Sequence, residues 1–192
     1  MNIFVLDTDI KLCAEYHCDK HLVKMITEHN QILASVKWKS HGITKKNQIT
    51  KKHTDKFVDF PRKNSDGTPN PYSIGFQYHP CTVWAGESID NYIWLCKLTL
   101  EMCKEYTKRY KKTHAGESIV KWYKDNSPFL PIVGVTPFVQ AMPDDVKNID
   151  SVIAYRNYYK KYKVGFAKWS HTETPKWFQE KKMTNSLLVR KK

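Results

Sequence analysis

Residues 82–110 carry two apolar stripes at once. Ile89, Tyr92, Ile93, Cys96, Leu100, Cys103 and Tyr110 recur at helical spacing, and Trp84, Leu95, Leu98 and Met102 form a second row on the same segment. A helix that is apolar on more than one side must be covered on more than one side, so this segment is predicted as a central helix. His79-Pro80-Cys81-Thr82 opens it, with proline where a first turn tolerates one. A second helix is predicted from about Ile10 to Val36, behind the N-cap candidates Asp7, Thr8 and Asp9. A third is predicted from Asp150 or Ser151 to about Lys163.

The connections are long. From Lys39 to Tyr78 the periodicity dissolves into a basic loop holding Lys45, Lys46, Lys51, Lys52, Lys56, Arg62 and Lys63, together with Pro61, Asp66-Gly67, Pro69 and Pro71. Residues 113–148 are rich in turn signals, and Ile3–Leu6 is a short apolar run that reads as a strand or an extended arm. No repeat and no linker divides the chain. The expectation is an all-α, single domain over residues 1–192, with about three long helices, long irregular connecting loops and a basic C-terminal tail. A content of 41% hydrophobic and 13% aromatic residues in 192 is enough for a core and excludes a wholly disordered chain.

No window approaches roughly 18 uninterrupted apolar residues, and the start of the chain lacks a signal-peptide pattern, so a cytoplasmic protein without a membrane partner is expected. Five cysteines in such a chain argue against a disulfide framework. The net charge of +13, spread along the whole chain, favours a polyanion such as nucleic acid, without selecting a sequence or strand type.

Three constellations could carry chemistry. The first is His17, His21, Lys24 and Glu28, which fall within roughly 60° of one another on the first predicted helix. Histidine moves protons near neutrality, a partly buried carboxylate holds a proton or stabilises positive charge, and a desolvated lysine becomes a nucleophile. The same four residues could instead form a polar seam between helices. The second is His79 at a helix entrance, followed by Glu87 and Asn91, where free backbone N–H groups suit a phosphate, or where His79 simply caps. The third is the run from Tyr155 to Lys163, in which Arg156, Tyr158, Tyr159 and Lys160 alternate rings to stack on bases with cations to hold phosphates. Its competing reading is an amphipathic helix with Tyr155, Tyr159 and Tyr162 packed inward. His17 and His21 have two-ligand helical spacing, but no Cys-x-x-Cys or His-Glu-x-x-His occurs, so neither metal nor cofactor is expected.

The layout resembles the small all-helical pyrimidine-dimer DNA glycosylases of phages. Ala14-Glu15-Tyr16-His17, the helix from His79 to Arg109 and Tyr155-Arg156-Asn157-Tyr158-Tyr159 carry the likeness. Tyr16-His17-Cys18-Asp19-Lys20-His21, His79-Pro80-Cys81 and Gln140-Ala141-Met142-Pro143-Asp144 are similar to a wider group of phage and bacterial proteins over most of the chain, without adding an activity. The resemblance implies a backbone N-terminal amine that attacks the sugar C1′, a first-helix glutamate (Glu28 or Glu15) that assists, and a Schiff base followed by strand scission. Asn2 is too bulky for efficient removal of Met1, so the family's small terminal residue is absent and Lys24 is the expected substitute nucleophile. The functional expectation is a DNA-acting enzyme, a base-excision glycosylase with abasic-site lyase activity or a related base-modifying enzyme. The alternatives are a nucleotide-acting small-molecule enzyme and a non-catalytic nucleic-acid-binding or host-interaction protein. The oligomeric state is left open.

Overall fold

Two of the predicted long helices are bent into elbows. The computed structural model describes residues 1–45 and 56–179; Lys46, Lys51, Lys52 and the basic tail lie outside the described residues. Helix α1 spans Ile10–Tyr16 and is N-capped by Asp9, whose carboxylate accepts from the Leu12 N–H at 2.8 Å. Helix α2 then spans Asp19–Ser40. His17 and Cys18 between them are extended, so one helix from Ile10 to Val36 is corrected to two. No glycine or proline marks this break. Its cause lies ninety residues away, in Arg109, whose guanidinium donates to the carbonyls of His17 (2.9 Å) and Glu15 (2.8 Å). The same guanidinium pairs with Asp19 at 3.2 Å and Glu105 at 2.8 Å. Carbonyls that a continuous helix would satisfy internally are thus satisfied by a side chain.

The second elbow is locally encoded. Helix α3 (Pro80–Ala85) stops at Gly86, and Ser88 restarts the chain as α4 (Ile89–Tyr110) by accepting from the Asn91 N–H at 3.0 Å. Helix α5 (Gly116–Asp125) occupies part of the stretch expected to be all turns; Ile119, Val120 and Tyr123 bury one face of it. Helix α6 (Ser151–Tyr158), capped by Asp150, continues into a π-helical turn over Tyr159–Lys163.

Both stripes of α4 are covered, as its pattern requires: Tyr92, Leu95, Cys96, Leu98, Met102 and Cys103 are all inaccessible. Helices α1, α2, α3 and α5 pack around it, and α2 packs in turn on α3 and α5. The first residues of the chain do not form a strand. Ile3, Val5 and Leu6 are fully buried in an extended arm that runs through the same apolar cluster. Among the described residues there is no strand, only an isolated bridge between Lys63 and Pro69, and no helix long and apolar enough to cross a membrane. All five cysteines are buried thiols, and burial pushes Cys13 up to about 11 and Cys81 and Cys103 up to about 12.

The Arg109 side chain is 0% exposed and that of Glu105 4%, so removing the cation leaves a buried carboxylate with the more exposed Lys108, 3.2 Å away, as its partner, and strands two elbow carbonyls. Arg109→Met is expected to lower stability by about 3–5 kcal/mol in urea unfolding. Adding Glu105→Leu should restore part of that loss, because the carboxylate then no longer needs a partner.

Candidate active site

The buried arm places the chain terminus. Asn2 is 6% exposed and works as a hub. Its amide donates to the Ala141 carbonyl at 2.8 Å, and its side-chain oxygen accepts from the Tyr155 hydroxyl at 2.8 Å and the Ile3 N–H at 2.8 Å. The Met1 side chain is only 2% exposed, with its sulfur 3.8 Å from the Thr82 hydroxyl. Met1 as a whole is nevertheless partly exposed, so its accessible surface is mainly main chain.

That amine lies 3.3 Å from Glu28 Oε2 on α2, and Lys24 Nζ, one turn earlier, lies 2.9 Å from Glu28 Oε1. The carboxylate is 13% exposed and the lysine 64%, so the acid sits at the floor of the site and the lysine at its rim. His79 caps α3 by accepting from the Cys81 N–H at 3.2 Å. Burial lowers its pKa; the charge of the terminal amine lowers it further and that of Glu28 opposes this, which puts all three in one electrostatic neighbourhood. An amine, a carboxylate and an imidazole on three separate segments can form a covalent bond to an electrophilic carbon and move the protons it requires.

The model of a family described as pyrimidine dimer DNA glycosylase matches residues 1–118. The chain belongs to this family. Neither a curated protein nor a solved structure matches it. The matched span contains the arm, Lys24, Glu28 and His79, whereas α6 lies outside it.

The ionisable stripe expected on the first helix is not one wall in this family member. The elbow removes His17 from the stripe: it is fully buried, and its Nδ1–H donates to the Cys13 carbonyl at 2.8 Å. His21, 6% exposed, stacks on Phe4 at 4.4 Å and contacts the Tyr159 hydroxyl at 2.5 Å. Both rings therefore pack on the arm three residues beyond the amine; of the four residues Glu28 is the one paired with the amine, and Lys24 pairs with Glu28. His29, which the sequence reading passed over, is also fully buried, with Nδ1 3.0 Å from Thr99 Oγ1. That hydroxyl donates to the Leu95 carbonyl, so the His29 Nδ1 is the donor toward it.

The expected substrate-binding residues divide similarly. Asn91 is fully buried and ties the α3–α4 elbow together, donating to the Trp84 carbonyl at 2.7 Å and accepting from the Thr136 N–H at 2.9 Å. Tyr159 is fully buried against Phe4, His21 and Trp177. Neither can touch a nucleic acid strand from these positions. Arg156 is committed to the arm, donating to the Leu6 carbonyl at 2.9 Å and pairing with Asp7 at 2.7 Å. Glu87 is exposed and accepts from the Thr136 hydroxyl at 2.9 Å. Tyr158 and Lys160 are partly exposed, and Lys163 lies over the Tyr158 ring at 4.4 Å. Within α6 and its π turn, Tyr155 and Tyr159 point inward and Tyr162 outward to Asp145.

The group that the sequence analysis set aside in favour of Lys24 is the Met1 amine, which the fold holds against Glu28. The signal for it was the apolar run Ile3–Leu6: a chain that buries its third to sixth residues also fixes its first.

Burial lowers the His17 pKa to about 4 and those of His21 and His29 to about 3. The unfolded chain binds protons on these rings below pH 6.5 and the folded chain does not. Stability must therefore be full above about pH 6.5 and fall toward pH 4, by about 1 kcal/mol per ring per pH unit. Urea midpoints recorded from pH 7 to pH 5 should decline steadily; a flat profile would mean that the rings are charged when folded.

Proposed function

We propose that this chain is a DNA glycosylase in which the Met1 α-amine is the nucleophile and Glu28 the assisting acid and base. The 3.3 Å approach of amine to carboxylate, within the segment matched to the family, carries this reading. An α-amine is a weaker base than a lysine side chain, so more of it is unprotonated near neutrality. Glu28 receives the ammonium proton. The free nitrogen lone pair attacks C1′, and the C1′–base bond breaks with its electrons leaving on the base, which is then protonated. Opening of the sugar ring, with a proton returned to its oxygen, yields a Schiff base between Met1 and C1′. Loss of a C2′ proton from that cation allows elimination of the 3′ phosphate, which is the abasic-site lyase step.

Retention of Met1 is compatible with this chemistry. Asn2 is buried and hydrogen-bonded in place, whereas the Met1 main chain is where the arm meets solvent. Lys24 takes a supporting role, pairing with the carboxylate on one side and presenting a cation to phosphate on the other. His79 is a further proton carrier in this scheme, and the exposed cations Lys24 and Lys104, with the overall charge of +13, suit a polyanionic strand. The pyrimidine dimer in the family's description is the first lesion to assay.

Borohydride reduction in the presence of abasic duplex should trap the protein on DNA, with the adduct in the Met1 peptide by mass spectrometry and unaffected by Lys24→Ala. Glu28→Gln should lower base release by roughly 10²–10⁴-fold while leaving the fold intact. An adduct on Lys24, or no adduct at all, would rule out this assignment.

A further inference from the structure

The segment entering α3 ends in an aromatic tip held on both sides. Trp38 Nε1 donates to the Tyr72 carbonyl at 2.8 Å. The Ser35 hydroxyl lies 2.9 Å from the Gly75 carbonyl oxygen and 3.2 Å from its nitrogen. Ile74 between them is 4% exposed, so residues 72–75 are clamped along α2. At the other end the His79 N–H donates to the Phe76 carbonyl at 2.8 Å, closing the turn directly onto α3. Between these fixed points Phe76 is 68% exposed and Tyr78 80%.

Phe76 adopts φ 53°, the left-handed region that glycine fills without strain and a bulky residue does not. A turn of this shape would be better served by glycine, yet it carries a phenyl ring pointing largely into solvent. Its position makes the ring useful. The turn ends on His79, beside the amine and Glu28, and its clamp on Ser35 lies two helical turns, roughly 10 Å, beyond Glu28 along α2. The nearby aromatics Phe4, Tyr155, Tyr159 and Trp177 are all consumed by packing.

We propose that Phe76 and Tyr78 are a stacking wedge that enters the base stack beside the target nucleotide and holds it open, so that C1′ can reach the terminal amine. The inference rests on the glycosylase reading of Met1 and Glu28. A base inside a duplex is closed to an enzyme until it is unstacked, and aromatic rings inserted at a base step or laid on a base face supply that opening.

The test uses the full chain and a duplex carrying 2-aminopurine next to a tetrahydrofuran abasic analogue. Wild type at saturation should raise 2-aminopurine fluorescence several-fold, and Glu28→Gln should do the same, because its tip is intact. Phe76→Gly, chosen because glycine suits the turn, combined with Tyr78→Ala, should abolish the rise at saturating protein, with affinity weakened roughly tenfold per ring. Tyr78→Phe should retain it. Circular dichroism and the unfolding midpoint of the double variant should match or exceed wild type. No rise with wild type, or an undiminished rise with the double variant, overturns the wedge. Failed borohydride trapping alongside a rise lost only in the tip variants would keep the wedge and discard the glycosylase assignment.

Discussion

The site depends on the burial of a single extended arm. An arm with no strand partner has backbone groups that must be satisfied by side chains or by isolated contacts, and the fold supplies them one at a time. Arg156 serves the Leu6 carbonyl, the Cys13 sulfur lies 3.3 Å from the Leu6 nitrogen, and the Asn2 side chain gathers Ala141, Tyr155 and Ile3. The apolar side chains of Ile3, Val5 and Leu6 provide the driving force, and these polar contacts set the register. Once the register is set, the terminal amine has one place to go.

The arm also explains the histidines. Three imidazoles packed under it are held neutral by desolvation, and the His17 Nε2 has no hydrogen-bond partner among the described residues. Buried polar atoms left in this state mark a place where packing has overridden solvation. The role of these imidazoles in the fold is therefore structural and acid-sensitive, while Met1, Glu28, Lys24 and His79 are the ionisable residues of this neighbourhood that keep access to solvent. The division follows from the elbow between α1 and α2, which turns His17 away from the line it would share with Glu28 in a straight helix.

The all-helical class, the doubly buried α4 and the caps at Asp9, His79 and Asp150 were legible because periodicity and capping are local physics. Glu28 and Lys24 as neighbours were legible for the same reason, being one turn apart. The α3–α4 elbow had a visible signal in Gly86 and Ser88. The α1–α2 elbow had none, since Arg109 makes it across the molecule. Asn91 and Tyr159 looked like surface groups because polarity in a sequence does not distinguish a residue facing solvent from one closing a buried hydrogen-bond network.

What the sequence alone determined is therefore the all-helical class, the doubly buried central helix, the basic character and the pair on α2. The tertiary structure decided which of the ionisable residues meet. Helical spacing orders side chains along one element, but the amine, Glu28 and His79 come from three segments whose meeting depends on which residues of the arm are buried and at what register. Burial and register are properties of the assembled core, where long-range contacts such as Asn2 with Tyr155 and Arg109 with His17 satisfy groups that no local pattern pairs.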